Sequence, residues 1–365
     1  MFPYGWAIIQ RRHNKERQRA ARRIAHRHIR DHSNPFDVPA EVFTKLYRLS
    51  KRTAHFLVEC LHQNLNRQRQ HGIPVHIKVL ASLHFFGHGG YQTTVGQGQY
   101  LGLSQPSVSK CLQEVADAII TVLLNGMVLF PETEEERAEN KQRFLQIAGF
   151  PSVLGLIDCS QISIVRPKDT ALVPARLFFN RKGFYSLNCQ FVCNAKMEII
   201  HFNATFPGST HDAAVWQGSS LSQLLETNYV NGVSAGEWLL GDSGYAQLPW
   251  LMTPYADADE NTPEARYNLA HTKTRVLIEK CFGVMKTRFR CIHKHRTLHY
   301  DPVKASKIIA AVVVLHNVAI KRNEPLPDEL QLEDRLRPAD DPPRDMNFLN
   351  VARNIRNNIT RQYFA

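Results

Sequence analysis

The chain has 365 residues, of which 43% are hydrophobic and 21% charged, and carries a formal net charge of +12 with a pI near 9.4. That length exceeds a single core and predicts two structural units, while the ordinary composition excludes a fibrous or wholly disordered chain. The longest apolar run, Ile308–Ile320, is broken by His316-Asn317 and fits a buried helix better than a bilayer span.

The opening MFPYGWAIIQ precedes its basic residues, the reverse of a secretory signal. Seven cysteines, an odd number without paired spacing, predict a reducing intracellular setting. Cys189 and Cys193 share one face of a strand pattern and are expected in the core. The basic excess points to nucleic acid, with an acidic protein surface as the alternative.

Residues 1–36 form a basic N-terminal arm. Within residues 9–30, Arg11, Arg12, Lys15, Arg17, Arg19, Arg22, Arg23, Arg27 and Arg30 stand against the single acid Glu16. Such a block is either a solvated arm or a helix that forms on a polyanion. Nuclear import and phosphate binding are its two functional readings.

Residues 37–130 are expected to be a helical, DNA-binding-like domain with a helix-turn-helix. One or two helices are predicted between Phe43 and Leu61, and another over His76–Gly89. An amphipathic helix through Val95 and Tyr100-Leu101 then meets Gly102, which suits a tight turn. Ser104 caps the next helix and Pro106 sits in its first turn, where a missing N–H costs nothing. In a helix-turn-helix the second helix enters the major groove by its N-terminal side chains. Gln105, Ser107, Ser109 and Lys110 are the candidate DNA contacts, against the alternative of a helical hairpin in a bundle.

Residues 131–150 read as a charged helical linker, and residues 151–324 as the second unit. PSVLGLID (Pro151–Asp158) is a buried strand ending in Asp158. Phe184–Gly208 alternates at period two around an Asn194-Ala195-Lys196 turn, a hairpin. A helix is expected from Ser209 through Leu225, then the strand WLLGD ending in Asp242, then a long helix bearing Glu279. This order predicts an α/β fold, a mixed sheet flanked by helices as in ribonuclease H. Residues 325–365 read as an acidic Pro-rich tail followed by a short basic helix that docks back.

Hydrolysis of a phosphodiester needs an activated water and neutralised charge, which divalent ions held by hard oxygen ligands supply. Two strand-end aspartates, Asp158 and Asp242, and the helical Glu279 fit that need. Each has a plainer reading. The aspartates can cap turns, and Glu279 can pair with Arg275 or Lys286 on its own helix. Lys286 and Arg290 share a face with Glu279 and would border a phosphate track. On spacing alone, Asp212 reads as a helix cap. His201, His211 and His316 make no zinc spacing, and His316 reads as core.

At these residues the chain resembles the PIF/Harbinger family of DDE transposases, and within it the Harbinger transposase-derived nucleases. The resemblance runs from Asp37 to the C-terminus and is weakest in the acidic tail. It is carried by LYRLSK, GLSQPSVSKC, GFPSVLGLIDCSQI, FYSLNCQFVCN, FPGSTHDAAVW, LLGDSGY, RVLIEKCFGVMKTRFR and VLHNVAI. It implies a catalytic triad of Asp158, Asp242 and Glu279, with Asp212 as a further divalent-metal position. It also implies a magnesium or manganese cofactor and a separate Myb/SANT-like partner that helps the chain into the nucleus.

The expectation is a metal-dependent DNA endonuclease located in nucleus and cytoplasm, able to form homo-oligomers and without membrane association. Strand transfer follows if it is still a transposase. The alternative is a domesticated DNA-binding adaptor with a vestigial cleft, and a phosphodiesterase of small substrates is a third.

Overall fold

A computed structural model describes residues 3–66, 72–96, 100–170, 173–233, 236–327 and 348–365. The chain divides into two compact units, Met1–Val122 and Leu123–Ala365.

The first unit is helical: α1 (Pro3–His32), α2 (Ala40–Tyr47), α3 (Lys51–Leu65), α4 (Val75–His88), α5 (Gln92–Gly96) and α6 (Gln105–Met127), which runs across the division. The basic arm is therefore a helix, and of its nine named cations all but Arg30 are exposed. Its C-terminal half packs at the turn before α6. Gly102 has φ +52° there, and a Cβ would lie 2.4 Å from the His26 carbonyl of α1, so only glycine suits both the conformation and the close approach.

The helix expected through Val95 and Tyr100-Leu101 is shorter than its hydrophobic pattern. Its described part is Gln92–Gly96, Tyr100-Leu101 form a turn, and the Leu103 amide donates to the Gly96 carbonyl at 2.9 Å. A Cβ on Gly96 would stand 2.3 Å from the Leu103 carbonyl. The chain doubles back, so Leu101 and Leu103 are buried through a turn and not a helical stripe. Ser104 caps α6 as expected, its hydroxyl accepting from the Ser107 amide at 3.4 Å.

The second unit opens with α7 (Glu134–Ala148), begun by a reciprocal Thr133–Glu136 capping box. Lys141 and Arg137 of α7 reach Glu237 at 2.5 and 3.4 Å, which fastens the charged helix to the start of a strand. The sheet follows: β1 (Val153–Ser163), β2 (Ser186–Cys193), β3 (Ile199–Pro207), β4 (Trp238–Leu240) and β5 (Leu251–Met252), in the order β3-β2-β1-β4-β5. β1, β2 and β3 are antiparallel neighbours, whereas β4 and β5 continue parallel to β1.

Helices α8 (Asp212–Gln217) and α9 (Ser220–Val230) separate β3 from β4, and α10 (Pro263–Arg288), α11 (Pro302–Lys321) and α12 (Leu349–Tyr363) follow β5. The mixed sheet flanked by helices is the ribonuclease-H-like arrangement expected. The single helix predicted over Ser209–Leu225 is two. A Cβ at Gly218 would meet the Phe206 ring at 2.7 Å, and Ser219 caps a new start by accepting from the Ser222 amide.

Trp216, Leu221, Leu225, Tyr245 and Trp250 pack with Ile157, Cys159 and Val192 on one sheet face. On the other, Phe282 of α10 meets Phe191 edge to face at 5.3 Å. Cys189 and Cys193 are fully buried, as expected of core residues. His316-Asn317, which interrupt the apolar run, stitch α11 to β3. Asn317 accepts from the Ile199 amide and donates to the Ile199 carbonyl, and His316 Nε2 donates to the Met197 carbonyl at 2.8 Å. α11 is long and apolar enough to cross a membrane but is mostly buried. The terminal helix docks back as predicted, with Arg356 donating to the carbonyls of Thr253 and Pro254. The acidic segment before it lies mostly outside the described residues.

Candidate active site

Asp158 does not end its strand. β1 continues to Ser163 because Cys159–Ser163 stay paired with β2. What ends is the β4 side: the β1–β4 ladder finishes at Leu156 opposite Leu240. Asp158 and Asp242 each lie two residues past that pair, on neighbouring parallel chains. This register brings the two carboxylates near enough for one guanidinium nitrogen to reach both.

Asp158 is fully buried, with one oxygen accepting from the Cys159 amide at 2.7 Å. Asp242 is partly exposed, and its Oδ1 accepts from the Gly244 amide at 3.1 Å. The remaining oxygen of each faces one cation. Arg275 Nη2 stands 3.5 Å from Asp158 Oδ2 and 3.9 Å from Asp242 Oδ2. The guanidinium comes from α10, one turn before Glu279. One turn earlier still, His271 is buried and donates to the Met252 carbonyl of β5 at 3.3 Å, which holds the helix on the sheet. Burial, then the neighbouring Arg275, lower the His271 pKa to about 3, so the ring is neutral at ordinary pH.

Glu279 is half-buried. It pairs with neither residue that its helical spacing suggested. Arg275 turns to the aspartates, and Lys286 is buried, donating to Ser160 Oγ at 2.7 Å. Lys286 was expected to border a surface phosphate track, but it points into the sheet. Arg290 is exposed and follows the end of α10. Among the described residues no set of three or more His, Cys, Asp or Glu side chains lies close enough to hold an ion. Two of the expected carboxylates therefore meet, and Glu279 stands a helical turn from the cation between them.

Asp212 is the first residue of α8, whose cap is His211, so it is not the capping residue its spacing suggested. Its carboxylate accepts from Asn188 Nδ2 at 2.8 Å, and the same amide donates to the Thr210 carbonyl. Asn188 alternates with Cys189 on β2, which places Asp212 on the Tyr245 side of the sheet. The Tyr245 hydroxyl is 3.3 Å from Cys159 Sγ. Burial first, then Cys159 and the carboxylates of Asp212 and Asp242, push its pKa well above the usual phenol value. Gly208 makes this loop possible, because a Cβ there would lie 2.1 Å from Ser186 Oγ and 2.7 Å from the Phe178 carbonyl.

In the first unit Gln105 and Lys110 are exposed and Ser107 and Ser109 half-exposed. Gln105 donates to Gln92 Oε1 at 2.7 Å, Ser107 is joined to the Ser104 cap, and Lys110 is 4.0 Å from Glu114. Arg275, His271, Asn188 and Tyr245 were not among the expected site residues. The signal for two of them is spacing: His271, Arg275 and Glu279 recur every four residues along one helix edge.

Two carboxylates converging on a single positive group have the donor chemistry that hard divalent ions require. The guanidinium marks where positive charge is wanted. A family model described as DDE superfamily endonuclease matches residues 157–317, which span Asp158, Asp212, Asp242 and Glu279. The chain belongs to this superfamily of endonucleases and to its Harbinger branch.

The Homo sapiens protein "Putative nuclease HARBI1" is 38% identical over 288 residues, covering 78% of this chain and 79% of the relative. The Xenopus laevis protein of that name is 33% identical, covering 79% and 80%. The Arabidopsis thaliana "Protein ALP1-like" is 24% identical, covering 84% and 76%. No solved structure matches the chain.

Proposed function

We propose that the chain is a divalent-metal-dependent DNA endonuclease that hydrolyses phosphodiester bonds and leaves a 3′-hydroxyl. The observation that carries this reading is the meeting of Asp158 and Asp242, from adjacent strands, at one cation. Asp158 and Asp242 would hold magnesium or manganese, Glu279 would join them from α10, and Asp212 is a further position for an ion. A bound ion of this kind supplies an activated water and neutralises phosphate charge.

The chain's own residues hold and orient. The Gly244 and Cys159 amides fix one oxygen of each aspartate and leave the other turned to Arg275. His271 anchors the helix that carries Glu279. Arg290 is available to a phosphate, and Gln105, Ser107, Ser109 and Lys110 are the proposed DNA contacts of the first unit. The exposed cations of α1 add salt-sensitive affinity for the backbone. DNA is the partner this charge favours, with a Myb/SANT-like protein and a second copy of the chain as further partners. A DNA substrate places its work in the nucleus, and a cytoplasmic pool belongs to the same reading only as part of the resemblance. Strand transfer would need the new 3′-hydroxyl to attack a second duplex.

One observation favours a second reading, a DNA-binding adaptor with a vestigial site: Arg275 stands where an ion would be gripped, and three carboxylates do not close on one point. Nicking of supercoiled plasmid separates the two. The nuclease reading predicts magnesium-dependent nicking that Asp242→Asn abolishes without weakening DNA binding. Equal nicking by the variant, or tight binding without any cleavage by the wild type, would end it.

A further inference from the structure

The ion pair of Arg275 with Asp158 and Asp242 has a consequence for how the site is loaded. Asp158 is fully buried, and a buried carboxylate is stable only when its charge is matched nearby. Arg275 is itself largely buried, with a side chain 15% exposed, and it reaches both aspartates through one nitrogen, Nη2. The strands and the helix are fixed independently of this contact. β1 and β4 are set by their ladder, and α10 is anchored by His271 to β5 and by Phe282 against Phe191. The Arg275 guanidinium is at the end of a long, flexible side chain, so it can leave the aspartates without moving either backbone element.

We infer that Arg275 is an internal counter-cation that neutralises Asp158 and Asp242 in the metal-free chain and must withdraw for a divalent ion to take its place. This rests on the proposed metal-dependent activity, because the ion is expected at the same two carboxylate oxygens. A guanidinium and a divalent cation cannot share those oxygens, since like charges at such separations repel strongly where water is scarce. The two therefore compete, and ion affinity is reduced by the fraction of molecules in which Arg275 is docked. The same contact makes the metal-free protein stable, because it spares Asp158 an unmatched buried charge. The arginine is a positioning residue. It sets when the two aspartates are open to an ion and does not itself ligate it.

The test uses the full-length chain stripped with a chelator, with Mn²⁺ binding read by calorimetry and melting temperature measured with and without Mn²⁺. The variants are Arg275→Met, Arg275→Lys and, as control, Asp242→Asn. The expected result is an apparent Mn²⁺ Kd lowered about tenfold or more in Arg275→Met. Its metal-free melting temperature falls and is recovered by Mn²⁺. If Arg275→Met does not fold without metal, Arg275→Lys carries the test, because its single ammonium on a differently shaped side chain loosens the contact while keeping a cation. Mn²⁺ affinity unchanged or weaker in the folded arginine variants, with wild-type binding that still depends on Asp242, overturns the inference and leaves the nuclease reading standing. Absence of any Mn²⁺ binding sensitive to Asp242→Asn defeats both.

Discussion

Asp158 and Asp242 are separated by 83 residues of intervening chain, yet each sits two residues beyond the same paired position, Leu156 opposite Leu240. The parallel register of two short segments thus brings the carboxylates together, and Arg275 closes the gap between them. Only β4 stops at this level, while β1 runs on beside β2 to Ser163, and positions just past the carboxyl end of a parallel strand are where α/β sheets commonly place ligands.

Lys286 and Arg290, both expected to face phosphate, are predicted to behave differently on substitution. Lys286 is buried on Ser160 and 5.8 Å from the Phe282 ring, so Lys286→Met should alter melting temperature and leave the salt dependence of DNA binding unchanged. Arg290 is exposed, so Arg290→Ala should leave stability within about 0.5 kcal/mol and reduce the salt slope by about one. DNA binding titrated across salt concentrations checks both. A reduced slope for Lys286→Met would restore its surface role.

Stability should depend on pH through histidines kept neutral by burial. Burial, then Arg275, lower His271 to about 3, and burial lowers His84 and His201 to about 4. The unfolded chain takes up protons near pH 6.5 that the folded chain refuses. Their contribution is therefore fully present above that pH and is lost as pH falls toward 3 to 4. The expected slope is about 1.4 kcal/mol per pH unit for each such proton. Urea unfolding between pH 7 and 4 measures it, and His271→Gln should flatten the decline by about one proton's share.

Gly102 should be intolerant of any side chain. Its φ of +52° and its approach to the His26 carbonyl predict that Gly102→Ala destabilises by about 1–3 kcal/mol and loosens α1 from the turn before α6. Circular dichroism melts and the rate of proteolysis within residues 3–32 follow the two effects. Unchanged protection of α1 would show that the contact does not hold it.

The fold was legible where local chemistry is strong. The Ser104 cap and the Asn194-Ala195-Lys196 turn announce their elements, and the hydrophobic runs of β1 and β4 announce buried strands. What failed was set by contacts distant in sequence. Asp158 looks like a strand end because its apolar run stops, but pairing with β2 carries the strand to Ser163. The two-residue β5 exists only as a partner for β4 and has no periodicity to detect. Gly218 ends a helix where the Phe206 ring crowds it. At the site, the acidic residues were visible as types, whereas the turning of Arg275 toward two aspartates and away from Glu279 is a tertiary outcome. Lys286 departs from its helical spacing for the same reason: its helix face is covered by the sheet.

The most direct test is a crystal of the full chain grown with Mn²⁺ and examined by anomalous scattering. A manganese peak is expected beside the Oδ2 atoms of Asp158 and Asp242, with Arg275 withdrawn and Glu279 turned toward the ion. A saturated crystal with Arg275 still on both aspartates and manganese elsewhere would contradict it.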